Sequence, residues 1–181
     1  REIVAKGCFP LHPMTAALLC NIKLDTGQGG QDPRTVLQFV MASRERLSNE
    51  SVIKGKRPNW VLPVELVDFF GSQLSAERYR MYDDARRKVG NEDDRENERL
   101  VLKALLLHEV AELPGNASRQ VAQLATMAGL EEEKAKTALR KLSEERTIRY
   151  DEVNHRYSFW AAGLDVNDYE RTLQAYLKEV A

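Results

Sequence analysis

Residues 121–142 read VAQLATMAGLEEEKAKTALRKL and have the spacing of two short helices joined by a tight turn. Ala125 is small, as is needed where two helices approach closely, and Gly129 follows four residues later, where a turn favours a positive φ. The inward face of both helices is apolar, formed by Leu124, Ala128, Leu130, Ala135, Ala138, Leu139 and Leu142. This pattern predicts a helix-turn-helix.

The segments on either side complete this unit. Residues 100–110 are nearly all apolar, which indicates a buried helix. We expect it to pack as the third helix against the inward face of the other two. After the second helix, residues 147–150 and 156–160 form two short alternating runs joined by residues 151–155, as in a β-hairpin. Three helices followed by a hairpin predict a winged helix-turn-helix over residues 91–165.

The N-terminal half also reads as mainly helical. Pro13 and Pro33 stand where helices begin, because a proline in the first turn loses no intrahelical hydrogen bond. The helix after Pro33 is expected to bury four apolar side chains, Val36, Leu37, Phe39 and Val40. Residues 48–59 read as a polar loop. The acidic stretch at residues 90–97 is the expected boundary between a helical subdomain over residues 1–90 and the winged helix.

A last helix is expected over residues 166–181. Its apolar residues fall on one amphipathic face, formed by Tyr169, Leu173, Tyr176 and Leu177. The chain begins with Arg1 and ends at residues 177–181 within this helix, without a glycine or proline stop signal. We therefore expect a truncated helix and a chain that is a piece of a longer protein.

The composition is that of an ordinary globular protein. The chain has 181 residues and a formal net charge of -1, with 43% hydrophobic and 30% charged residues, which allows one large domain or two small ones. The low cysteine content excludes a disulfide scaffold, and no apolar run approaches the roughly 18 residues of a membrane span. We expect a cytoplasmic protein with no membrane partner.

The cysteines and histidines do not form a recognisable site. Cys8 and Cys20 are expected to be buried or semi-buried free thiols. His12 lies near Cys8, but no CxxC or HxxxH accompanies it, so no metal site is expected. His108 lies in the apolar helix and is expected to be a core or interface residue. No serine or cysteine has a matching histidine and acid in a known motif, so no catalytic residue is predicted.

The glycine-rich segment at residues 27–30 invites comparison with a phosphate-binding loop. It lacks the Lys-Ser/Thr pair of a P-loop and the buried strand that precedes one. We interpret it as a hinge between helices, and we expect no catalysis and no cofactor from this chain alone.

Duplex DNA is the first partner to consider for a winged helix. Glu131, Glu132 and Glu133 face outward where the duplex would enter, which is the wrong charge for phosphate attraction. The same carboxylates have a structural use, because they stabilise the positive end of a helix dipole. The candidate patch for contact with DNA or a protein partner consists of Lys134, Lys136, Arg140, Lys141, Arg149 and Arg156. We favour a structural or protein-contact role over sequence-specific DNA binding.

Two N-terminal segments resemble a pattern in large bacterial P-loop ATPases. Residues 9–14 read FPLHPM and residues 30–39 read GQDPRTVLQF. They are similar to a PLHP segment and a following GQ-x-x-RT-hydrophobic-x-x-F segment that lie C-terminal to the nucleotide-binding core. The group includes AAA+-like and STAND-like ATPases and the large ATPases of BREX-type phage-resistance systems. Residues 62–70 look like the next element of the same region.

The resemblance implies a helical lid-like subdomain over residues 1–90, followed by the winged helix that often comes after an AAA+-type lid. The Walker motifs would lie upstream, so ATP and Mg are expected for the parent protein and not for this chain. In such a lid, an arginine entering a helix reaches the γ-phosphate, and Arg34 is the matching position. Its guanidinium is suited to clamp phosphate, although an ordinary surface arginine explains the residue equally well.

These expectations lead to one favoured function and two alternatives. We expect a non-catalytic module that couples the nucleotide state of the upstream ATPase core to a protein partner or DNA, in phage defence or another DNA-associated process. The first alternative is a winged-helix transcription regulator that binds DNA by itself. The second is a scaffold in which the winged helix only oligomerises the parent protein.

Overall fold

The computed structural model describes residues 8–22, 24, 33–51, 53–54, 57–115, 117–152 and 154–160. It confirms a mainly helical chain with a small antiparallel hairpin. The helices are α1 (Pro13–Asn21), α2 (Pro33–Ser48), α3 (Glu65–Phe70), α4 (Ala76–Val89), α5 (Glu96–Val110), α6 (Ala117–Ala128) and α7 (Glu132–Glu144). The strands are β1 (Ile53–Lys54), β2 (Arg57–Pro58), β3 (Ile148–Asp151) and β4 (Arg156–Phe159), paired β1 with β2 and β3 with β4.

The segment that leads into α1 is attached to the chain ahead of α3. Leu11 forms a parallel bridge with Val61, and the Thr15 hydroxyl donates to the Val61 carbonyl at 2.8 Å. His12 caps α1, because its Nδ1 accepts from the Met14 backbone N–H at 3.2 Å. Burial lowers the pKa of His12, which favours the neutral imidazole that this hydrogen bond requires.

Helix α5 lies at the centre of the molecule and packs against α4, α6 and α7. Leu102, Leu105 and Leu106 are fully buried on it, as expected from an apolar run that is in contact with neighbours on several sides. One hydrophobic core extends from Leu11 to Phe159 and includes residues of α1, α3, α4 and the hairpin. The domain boundary near residue 90 stays a prediction.

Helix α6, helix α7 and the β3–β4 hairpin fold against α5; together we call these elements the helix–hairpin unit. The strands pair with Ile148 opposite Phe159, and both side chains are buried against the helices. The seven apolar residues predicted to face inward are buried, except for Leu130, which is half-buried against the same core.

Three sequence-based expectations were wrong. Leu37 is 58% exposed, because it lies about 200° around α2 from the buried Phe39 at 100° per residue. Cys20 is an exposed free thiol on α1, whereas Cys8 is half-buried. Residues 48–59 contain the paired strands β1 and β2 and not only a loop. The helix predicted over residues 166–181 lies outside the described residues.

Candidate functional site

The turn between α6 and α7 has the predicted geometry. Gly129 has a φ of 68°, and the Leu130 N–H donates to the Ala125 carbonyl at 2.9 Å, which closes the end of α6. Leu62, from the segment before α3, lies against this glycine: a Cβ added at Gly129 would be 2.5 Å from its Cδ1. The turn therefore also carries a contact with the N-terminal half.

The outward face of α7 is exposed, as predicted, and two of its basic side chains, Lys136 and Arg140, lie beside carboxylates of the same helix. Glu131, Glu132 and Glu133 are all exposed at its first turn. The Lys136 ammonium lies 3.0 Å from a Glu132 carboxylate oxygen and 2.9 Å from one of Glu133. The Arg140 guanidinium lies 3.8 Å from a Glu144 carboxylate oxygen. The positive charge that a phosphate would need at these positions is already opposed by neighbouring carboxylates.

Lys141 has a structural partner on another helix. Its ammonium lies 2.9 Å from a carboxylate oxygen of Glu98, which is only 6% exposed on α5. Arg95 flanks the pair and binds the Glu145 carboxylate near the end of α7. Burial acts to raise the pKa of Glu98, but the hydrogen bond and charge of Lys141, with the charge of Arg95, outweigh it and lower the pKa. These pairs connect α5 to the C-terminal part of α7.

Lys141→Met should therefore lower the free energy of unfolding by about 1–2 kcal/mol at pH 7. The loss is smaller than for a fully buried pair, because Lys141 is itself partly in water. Because the pKa of Glu98 is lowered in the folded state, its ionised carboxylate stabilises the fold at pH values above the ordinary pKa of 4.5. This stabilisation disappears as the pH falls through the lowered pKa. Urea unfolding at several pH values measures this loss. The difference in free energy of unfolding between wild type and variant should become smaller below pH 4.5.

Lys136→Met is the matched control, since it removes the same charge from an exposed pair. It should leave the unfolding midpoint unchanged within error. An equal loss from both variants at pH 7 would contradict a structural role for the Lys141–Glu98 pair.

The remaining three residues of the predicted patch are divided between two places. Lys134 is exposed on α7. Arg149 and Arg156 lie on β3 and β4 and line a recess that faces α4 and the end of α5. Of the six basic residues, Arg149 and Arg156 line this recess. Three others, Lys136, Arg140 and Lys141, are paired with carboxylates on α5 or α7.

Sequence reasoning missed the two side chains that hold the hairpin to the helices. Gln120 is fully buried; its amide nitrogen donates to the Tyr157 carbonyl at 2.9 Å, and its oxygen accepts from the Tyr157 N–H at 2.7 Å. Glu109 accepts from the Phe159 N–H at 3.1 Å. The helical period was the available signal for Gln120, because it lies four and seven residues before the inward-facing Leu124 and Met127.

His108 is buried on α5, as expected for a core or interface residue. Its Nε2 lies 3.2 Å from the Gln123 side-chain oxygen. Burial lowers the pKa of His108, with the charge of Arg156 adding to the effect and the hydrogen bond to Gln123 opposing it. A neutral, buried histidine with a partner on α6 contributes to helix packing.

Arg34 lies in the first turn of α2, but its side chain is outside the described part of the chain. The glycine-rich segment at residues 27–30 also lies outside it. Among the described residues, no three His, Cys, Asp or Glu side chains are grouped as metal ligands would be. Over the same ranges, none of the helices combines the length and apolar character needed to cross a membrane.

Comparison with known proteins found no relative. No protein-family model matches the chain, and neither a curated protein nor a solved structure matches it significantly.

Proposed function

We propose that the helix–hairpin unit is a winged helix that contacts protein and not DNA. Its order of helix, helix, turn, helix and hairpin is that of the motif, and Gly129 has the positive φ that the turn favours. The hairpin follows α7 directly and packs on α6 and α5, as a wing does.

The observation that carries this proposal is the pairing of charges on α7. This helix would be the recognition helix, and phosphate attraction supplies much of the affinity of DNA-binding proteins. Lys136 and Arg140 are instead paired with carboxylates of the same helix, and Lys141 is paired with Glu98. A surface on which carboxylates flank these basic side chains is better suited to a protein partner than to a polyanion.

We further propose that the chain couples the nucleotide state of a larger bacterial P-loop ATPase to that partner, in phage defence or a related process. The support is the resemblance of residues 9–14 and 30–39 to the region that follows the ATPase core. The attachment of Leu11 and Thr15 to Val61, and of Leu62 to Gly129, supplies a packed route from the N-terminal segment to the winged helix. Rigid-body displacement of packed elements is a known means of such coupling.

The experiment is Arg34→Ala in the full-length ATPase that contains this chain. If Arg34 contacts the γ-phosphate, ATP turnover should fall tenfold or more, because a guanidinium that stabilises the transferring phosphoryl group has large effects on kcat. Arg44→Ala is the matched control, since Arg44 is exposed further along the same helix. Unchanged turnover in Arg34→Ala, or an equal loss in both variants, would remove Arg34 from the nucleotide site.

The alternative is a winged-helix regulator that binds duplex DNA. The exposed Lys134 and the arginines of the hairpin favour it, because wings often contact the DNA backbone. It requires salt-sensitive binding of duplex DNA by the chain alone, and loss of that binding in Lys136→Ala/Arg140→Ala.

A further inference from the structure

A recess of about 490 Å³ lies between α4, the C-terminal end of α5 and the outer side of the hairpin. This volume is within the range of pockets that hold small molecules, roughly 300–1,000 Å³. It is separate from the outward face of α7, and its walls come from elements that are distant in sequence. A ligand bound there would contact both halves of the chain.

Three arginines from three different elements line the recess, together with three glutamates: Arg78 of α4, Arg149 of β3 and Arg156 of β4, with Glu77, Glu109 and Glu112. The Glu109 carboxylate accepts a hydrogen bond from the Phe159 N–H. Burial raises the pKa of Glu109, and the positive charges of Arg78, Arg156 and Arg149 oppose that rise. The recess thus receives basic side chains from three elements.

The hairpin arginines are available to a ligand. Arg149 donates from Nε to the Ser158 hydroxyl at 3.0 Å, which leaves its two terminal nitrogens for other acceptors. Within the described ranges, no carboxylate oxygen lies within 4.0 Å of either Arg149 or Arg156. Arg78 lies 3.5 Å from a Glu112 carboxylate oxygen, so a phosphate would compete with that carboxylate for Arg78.

We propose that this recess binds the phosphate group of a small molecule. A phosphate carries several acceptor oxygens and up to two negative charges, and planar guanidinium groups bind such oxygens in pairs. A single phosphate group fits a recess of this volume, whereas duplex DNA is contacted along its backbone and in its grooves. The inference does not depend on the proposed contact between the winged helix and a protein.

Binding would join elements that are otherwise in limited contact. A phosphate held by Arg78 on one side and by Arg149 and Arg156 on the other would tie the hairpin to α4. Because the ligand would bind the folded state and not the unfolded chain, it should also raise the unfolding temperature.

The experiment is a calorimetric titration of the whole chain with pyrophosphate, at constant ionic strength maintained with sodium chloride. The variants are Arg149→Gln and Arg156→Gln, and the matched control is Arg140→Gln, which removes the same charge from α7. We expect saturable binding by wild type and by Arg140→Gln. Each hairpin variant should bind at least tenfold more weakly, and circular dichroism should show that both remain folded.

Three results would overturn the proposal. The first is no saturable binding of pyrophosphate by wild type at millimolar concentrations, and the second is equal affinities of wild type and both hairpin variants. The third is displacement of pyrophosphate by a short duplex DNA that binds more tightly and needs the same arginines, which would assign the phosphate to nucleic acid. Retention of pyrophosphate in the presence of duplex supports a small-molecule site.

Discussion

Replacing Gly129 by valine should lower the free energy of unfolding by about 2–4 kcal/mol. Two effects add at this position. A β-branched residue is strained at a φ of 68°, and its Cβ would lie 2.5 Å from Leu62 Cδ1. Because Leu62 belongs to the segment ahead of α3, the variant should disturb both the turn and its contact with the N-terminal half. Thermal and urea unfolding of the variant and the wild type measure the loss.

Two alanine controls separate strain from steric conflict. Gly129→Ala carries both the backbone strain at a φ of 68° and the contact of its Cβ with Leu62. Gly129→Ala in a Leu62→Ala background keeps the backbone strain and removes the contact, so it should cost less than Gly129→Ala in wild type. An unfolding curve for Gly129→Val that matches wild type would contradict the helix-turn-helix register.

Replacing Gln120 by alanine should cost about 2–4 kcal/mol and loosen the hairpin. Both hydrogen bonds to Tyr157 would be lost, and the N–H and carbonyl of that residue would be left without their partner in a part-buried position. Amide hydrogen exchange measures the local effect. We expect faster exchange across β3 and β4 and little change in α5.

Gln120→Glu tests the hydrogen bonds with little change in side-chain size. Gln123→Ala is the matched control, because it removes a glutamine side chain from the same helix. Glutamate keeps the acceptor for the Tyr157 N–H but loses the donor to the Tyr157 carbonyl. Because its carboxylate charge would also be buried, the loss of stability should be larger than for a missing hydrogen bond alone. Gln123 contacts His108 and no hairpin residue among the described hydrogen bonds. Hairpin exchange rates that stay at wild-type values in Gln120→Ala would show that the hairpin is held by apolar packing alone.

Local signals explain why much of the helical architecture could be predicted from the sequence. The inward-facing residues from Leu124 to Leu142 follow the helical period, and Gly129 marks the turn because few other residues adopt its φ. The hairpin was recognisable from two short runs separated by polar residues. In each case neighbours in sequence determine the structure.

The features that were missed depend on distant parts of the chain. Lys141 looked like a candidate surface contact until the fold brought Glu98 of α5 to its ammonium. Leu37 looked like a core residue because it is apolar, but no neighbouring element among the described residues buries it. The pairing of Gln120 with the backbone of β4 likewise follows from tertiary packing, over a separation of 37 residues. Sequence patterns carry the period of a helix but not the identity of its neighbours.

The most direct test of the central claim is a fluorescence-anisotropy titration of the chain against random-sequence duplex DNA at low and moderate salt. Electrostatic attraction is strongest at low salt, so the pairing of Lys136 and Arg140 with carboxylates predicts no binding even there. A variant with Glu131, Glu132 and Glu133 all replaced by glutamine is the control, because it should gain weak, salt-sensitive binding. Wild-type binding that falls steeply with salt and is lost in Lys136→Ala/Arg140→Ala would contradict the account and establish α7 as a DNA-binding surface.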